Sequence, residues 1–205
     1  MVAFSSDLNA ASLNSPHSDS RAAGMTTNAT TIPPTGSDRT RLLNGEILLN
    51  TQPHTDWGAA VTATMFLPVS RESAWQQLTT YSRWVEFFPD VTRSEVISQT
   101  AERSWKRLYQ AATKSFLMFS AQVEVYLSVL ERHLGDRQHI QFRMERGNFH
   151  DFSADLELHD YRDGTLLTYS VKATPTIPVP SMVLQQAMRI DLPSNMQQMR
   201  RVLCA

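Results

Sequence analysis

Residues 137–174 read RQHIQFRMERGNFHDFSADLELHDYRDGTLLTYSVKAT, and their apolar side chains fall on every second position. Ile140, Phe142 and Met144 share one face of the first run, with Gln141, Arg143 and Glu145 on the other. Beyond Gly147 the alternation places Phe152, Ala154, Leu156 and Leu158 inward and Asp151, Ser153, Asp155 and Glu157 outward, with His150 in the apolar phase. Beyond Gly164, Leu167, Tyr169, Val171 and Ala173 continue the inner face opposite Thr168, Ser170 and Lys172. A period of two is that of a strand with one buried and one wet face. Short glycine-marked connections join such strands as antiparallel hairpins.

Working upstream, residues 115–131 carry the same pattern. Leu117, Phe119, Ala121, Val123, Val125, Leu127 and Val129 alternate with Ser120, Gln122, Glu124 and Ser128, and Gly135 ends the run. Two further strands fit 91–98 and 103–111. Val61, Ala63, Met65 and Leu67 mark a first main strand stopped by Pro68. Ser70 then stands where it caps a helix through Trp75 and Leu78, with Glu72 near the positive end of the helix dipole. A second short helix holds Trp84, Val85, Phe87 and Phe88 until Pro89 ends it. Seven strands in meander order result, and Leu42–Leu49 reads as a strand-like piece along an edge.

Downstream, Pro175, Pro178 and Pro180 form a stiff connection to a helix in which Met182, Val183, Leu184, Ala187, Met188, Ile190 and Leu192 spread over a wide apolar arc. Pro193 is expected to kink or break it, with Ser194 capping a last piece that buries Met196, Met199 and Leu203. Methionine adapts to irregular apolar shapes, which suits a helix closing over a ligand; a helix packed on a filled core would read the same way. The expected fold is α+β: a seven-stranded curved antiparallel sheet wrapped around a long C-terminal helix, with two short helices after the first strand. A curved sheet gripping a helix tends to enclose a hollow.

The chain has 205 residues, 41% hydrophobic, enough for one well-buried domain. Residues 1–40, rich in Ser, Thr, Asn and Ala, read as a disordered tail and 41–205 as the domain. A targeting leader is the second reading of the tail, weakened by Asp7, Asp19 and Asp38. With 19 Lys and Arg against 20 Asp and Glu, no global field recruits nucleic acid. The one cysteine, Cys204, forms no intrachain disulfide, so a reducing, cytoplasmic setting is expected. No apolar run approaches the ~18–20 residues that span a bilayer. Phosphate-cradling loops and nucleophile elbows are missing. His133, His139, His150 and His159 show no ligand spacing, so neither a metal nor a cofactor is expected. Oligomeric state stays open.

Three stretches carry a family likeness: Val61 to Leu67 leading into Ser70-Arg71-Glu72-Ser73-Ala74-Trp75; Tyr81-Ser82-Arg83-Trp84-Val85-Glu86-Phe87-Phe88-Pro89-Asp90-Val91; and Leu192-Pro193-Ser194-Asn195-Met196 with the helix beyond. From about residue 57 to 204 the chain resembles the START-like helix-grip superfamily (SRPBCC), which includes polyketide cyclase/dehydrase-like and coenzyme Q-binding proteins. The resemblance implies a cavity for a lipid, isoprenoid quinone, polyketide or other apolar molecule. Family members include catalysts, carriers and sensors, so the site must decide.

A carrier of a hydrophobic small molecule is the first reading, with Trp84, Phe88, Phe119, Phe142, His150, Phe152, Tyr169, Met182 and Met188 as the expected ligand contacts. A polyketide cyclase or dehydratase is the second and needs an acid or base in the cavity, for which His150, Tyr169 and Arg107 are the candidates. Arg107 shares a face with Trp105 and Tyr109, while Leu108 claims the other, which leaves its phase open. A protein-interaction module with a filled interior is the third. Arg189, Arg200 and Arg201 give the last helix a basic edge, read either as a transient membrane-surface contact or as ordinary partners of the helix dipole.

Overall fold

The computed structural model describes residues 36–101, 104–116, 119–176 and 180–205, within the compact unit Pro34–Ala205. Its elements run α1 (Gly36–Leu43), β1 (Leu48–Pro53), β2 (Ala59–Leu67), α2 (Arg71–Leu78), a 3-10 turn (Tyr81–Arg83), α3 (Trp84–Phe87), β3 (Val91–Gln99), β4 (Trp105–Phe116), β5 (Phe119–His133), β6 (Arg137–Gly147), β7 (Phe149–Tyr161), β8 (Gly164–Pro175) and α4 (Ser181–Leu203). The strands form one antiparallel sheet in the order β1-β2-β8-β7-β6-β5-β4-β3. The meander from β3 to β8 is as read from the alternation, and β2 closes on β8 with Val61 opposite Val171 and Ala63 opposite Tyr169.

An eighth strand departs from the expected seven. Leu42 and Leu43 end helix α1 instead of opening a strand. The turn Asn44-Gly45, with Gly45 at φ +87°, reverses the chain, and the Glu46 amide bonds back to the Arg41 carbonyl at 2.9 Å. A left-handed residue just past a helix is the ordinary place for glycine. Strand β1 then pairs with β2 along the sheet edge. Leu42 buries itself against Phe66 and Leu166 on the outer face of the sheet, forming a second small core.

The inner face holds the main core. Met65, Leu67, Leu127, Ile140, Phe142, Leu156, Leu158 and Leu167 are buried almost completely, each from the phase the sequence assigns to the inside. Helix α2 starts as expected: Ser70 accepts the Ser73 amide at 3.2 Å, and Ala74, Trp75 and Leu78 face inward. Phe88 has already left helical geometry (φ −122°, ψ 101°), because a residue before proline is pushed out of the α region.

Helix α4 corrects another expectation. It runs unbroken from Ser181 to Leu203 through Pro193, and Ser194 lies inside it and caps nothing. The proline removes one backbone hydrogen bond, but Leu192, Met196, Met199 and Leu203 are buried around it and hold the helix on the sheet. The amino half is different. None of its residues from 181 to 191 is buried, and Met182, Val183 and Ile190 are 79%, 56% and 63% exposed.

On the outer face, Asp155 lies 3.0 Å from His139 Nε2 and accepts from Arg143 (3.0 Å) and Gln141 (3.3 Å). Desolvation raises the Asp155 carboxyl, but the bonds from His139 and Arg143 outweigh it and hold it at about 2, below the ordinary 3.8. A depressed carboxyl stabilises the fold above its unfolded value, and that stability fades as pH falls through the folded one. The expected outcome is that Asp155→Asn is less stable than the parent protein at pH 7, and that the difference shrinks between pH 3.8 and about 2; urea unfolding across that range measures it. Phe142, buried against Trp84 (ring centroids 4.9 Å) and Tyr81 (6.2 Å), tests the inner core: Phe142→Ala should cost about 3–5 kcal/mol in the same assay.

Candidate functional site

A small, partly open cavity of about 150 Å³ lies under the inner face of the sheet. The turn between α3 and β3 supplies Trp84, Phe88 and Val91; β4 supplies Gln110, Ala111 and Ala112; β5 supplies Val123 and Val125; β7 supplies Phe149 and Phe152; β8 supplies Tyr169. Trp84 and Phe88 stack with centroids 5.4 Å apart, and Phe88 lies 5.8 Å from the Tyr169 ring. Such aromatic packing leaves a rigid, ring-lined wall.

Of the polar side chains in this wall, two are already engaged. The Trp84 indole N–H donates to the Leu78 carbonyl at 2.8 Å, and the Gln110 amide donates to Ser94 Oγ at 3.2 Å. The Tyr169 hydroxyl makes no hydrogen bond among the described residues, although its residue is only 6% exposed. Burial, with the charge of Asp155 added, pushes its phenol well above the usual range, so the proton stays on at any physiological pH.

Trp84, Phe88, Phe152 and Tyr169 therefore meet at the cavity as the sequence placed them. His150 does not. The pairing of β7 with β8 slips between Phe149 and Asp151, leaving His150 as the extra residue of a bulge, exposed on the surface. A bulge breaks the period of two, so Phe149 takes the inward position and packs 5.4 Å from Phe152. Arg107 is corrected too: Leu108 takes the inner face, and the Arg107 guanidinium sits outside on Glu145, with Nε 2.8 Å from the carboxylate. Phe142 stands one layer behind, against Trp84. Met188 packs on the core without lining the cavity, Met182 points to solvent, and the Phe119 side chain lies outside the described residues.

Gln110, Ala112, Val123, Val125 and Phe149 line the cavity without having been singled out. In β4 the inner phase reads Lys106, Leu108, Gln110, Ala112, and two polar residues hide its apolar character. Lys106 is tolerated inside because its ammonium pairs with Glu131, which also accepts from the Tyr81 hydroxyl at 2.6 Å. Burial, then the Glu131 charge, raise the Tyr81 phenol well above its ordinary value. Beside this cluster a larger concavity of about 710 Å³, open to solvent, runs between the 3-10 turn and β3 and is lined mainly by hydroxyl and other polar side chains. Being open and polar, it lacks the enclosure that an apolar ligand needs. No cluster of three His, Cys, Asp or Glu able to hold a metal occurs among the described residues.

The fold matches known proteins. The family described as polyketide cyclase/dehydrase and lipid transport aligns with residues 67–200. Human StAR-related lipid transfer protein 5 superposes with a TM-score of 0.63 at 13% identity, covering 78% of this chain and 80% of that one. A STAR-related lipid transfer protein from Xanthomonas axonopodis gives 0.60 at 15% identity, covering 76% and 98%. A START superfamily protein from Mycobacterium smegmatis gives 0.57 at 14% identity, covering 70% and 96%. At these identities the structural likeness speaks for the fold. No curated protein matches the sequence. With the family aligned over residues 67–200, most of the chain, and with the sheet-and-helix fold that these START proteins share, the chain belongs to the polyketide cyclase/dehydrase and lipid transport family.

Proposed function

We propose that this protein binds a hydrophobic small molecule, a lipid, isoprenoid quinone or polyketide-like compound, in the cavity bounded by α3, the turn after it and the strands β3, β4, β5, β7 and β8 rather than by the C-terminal helix as expected, and acts as its carrier or chaperone. The observation that carries this reading is the small, partly open cavity beneath the inner face, walled by aromatic and aliphatic side chains with Gln110 among them. Mostly apolar walls with very few polar groups are how small-molecule sites are built.

Its size adds a condition. A dry apolar cavity of about 150 Å³ holds a benzene-sized ring. A longer ligand requires more room than this, and in the amino half of α4 no residue is buried. Segments with few buried contacts are those that open at low cost. Met182, Val183 and Ile190 would meet the interface of a membrane during transfer, a transient contact that a cytoplasmic carrier would make. Arg200 plays a structural part by donating to the Gly45 carbonyl at 2.8 Å. No helix among the described residues is long and apolar enough to cross a membrane.

A cyclase or dehydratase would have to work with Tyr169 alone of the three candidates, because His150 and Arg107 face away. A phenol whose proton is held by burial can donate a hydrogen bond but makes a poor base. This supports the binding reading over the enzymatic one.

Native mass spectrometry of the purified protein, with organic extraction, tests the proposal: an apolar molecule is expected to travel with it. Ala112→Phe, which fills the cavity at a cost of about 1–3 kcal/mol, should abolish that cargo, and His150→Ala should leave it in place. Cargo that survives Ala112→Phe unchanged would mean it binds elsewhere.

A further inference from the structure

The cavity wall sorts its own polar groups. Trp84 donates its N–H to the Leu78 carbonyl and Gln110 donates one amide N–H to Ser94, which leaves the Tyr169 hydroxyl as the polar side chain of the wall that makes no hydrogen bond among the described residues. A buried O–H without an acceptor costs free energy, and the bonds a ligand makes to it are correspondingly selective. The surrounding surface joins the stacked rings of Trp84 and Phe88 and the rings of Phe149 and Phe152 to the aliphatic side chains of Val91, Ala111, Ala112, Val123 and Val125. Among the described residues no Lys or Arg lines the cavity, so a ligand's charge meets no counter-ion from them.

From these three facts we infer that Tyr169 is the specificity-determining residue of the cavity, and that the group it receives is an uncharged, planar ring bearing a carbonyl oxygen, to which the Tyr169 hydroxyl donates. This rests on the cavity-binding reading above and narrows it. The ring stacks within the aromatic wall, where faces and edges of aromatic rings attract one another. The carbonyl gives the Tyr169 hydroxyl the acceptor it lacks among the described residues, and any aliphatic remainder of the ligand has to leave the 150 Å³ cavity by its open side. A carboxylate is rejected because its desolvation goes unpaid for by any cation.

Three probes of similar size separate the requirements: acetophenone has ring and carbonyl, ethylbenzene has the ring without oxygen, and benzoate has the ring with a negative charge. Dissociation constants come from NMR titration of the full chain, stripped of cargo, and of its Tyr169→Phe variant. In the parent protein acetophenone should bind about tenfold more tightly than ethylbenzene, the size of one net hydrogen bond, and benzoate more weakly than either. In Tyr169→Phe the preference for acetophenone should vanish while ethylbenzene binds as before, which also shows that the variant is folded. Equal binding of acetophenone and ethylbenzene by the parent protein, or a preference that persists in Tyr169→Phe, overturns the role of Tyr169 while leaving the cavity as a binding site. Failure of all three probes overturns both this inference and the cavity reading beneath it.

Discussion

The Trp84 indole donates its single hydrogen bond to the Leu78 carbonyl and gives the rest of its surface to other rings. Phe88 stacks on it, Phe142 meets it edge-on at 4.9 Å, and Phe87, Tyr81 and Tyr169 lie within 6.5 Å. Through those contacts one side chain ties the end of α2, the 3-10 turn and α3 to strands β6 and β8. It is 3% exposed, and its buried N–H has the partner that burial demands. Without it the helical segment between β2 and β3 would have no fixed seat on the sheet, and the cavity would lose a wall. The structural and the functional roles of this turn are the same set of contacts.

From that anchor the molecule divides into a tight part and a loose part. The carboxy half of α4 buries Leu192, Met196, Met199 and Leu203 against the sheet and carries the proline inside it. The amino half, toward the proline-rich connection, buries nothing fully and shows Met182, Val183 and Ile190 to solvent. A filled core would draw those apolar side chains inward, since each buried aliphatic side chain is worth roughly 1.5–3 kcal/mol. The cavity itself is bordered by α3, the turn after it and the strands, and among the described residues none of α4 lines it. The polar cluster of Tyr81, Glu131 and Lys106 lies on the tight side, where it closes the hydrogen-bonding needs of a buried lysine.

Most of the sheet was legible because alternation is a direct image of burial. Leu127, Ile140, Leu156 and Leu167 sit inside for the reason their spacing gives. The same logic put Tyr169 and Phe152 on the inner face, whereas Trp84 and Phe88 were read from the short helix that Pro89 ends. It failed where the backbone leaves the period of two: the bulge at His150 turns that residue outward and brings Phe149 in, and nothing in the sequence marks a bulge between two non-glycine residues. It also failed in β4, where Lys106 and Gln110 occupy inner positions and their partners, Glu131 and Ser94, come from neighbouring strands. Pro193 misled for the complementary reason, since local propensity yields to burial on both sides of it. The turn at Asn44-Gly45 was readable as a helix stop, but the short helix before it has little amphipathic signal and is held by Leu42 alone among its buried residues.

The central claim is that the space between Trp84, Phe88, Phe152 and Tyr169 is hollow, apolar and able to accept a hydrophobic guest. Xenon reports this with no assumption about the natural ligand, because dry apolar cavities of this size take it up. A crystal of the cargo-free protein pressurised with xenon is expected to show the atom in this cavity, against the rings of Trp84 and Tyr169. Xenon missing from it, with ordered water or repacked side chains in its place, would contradict the account.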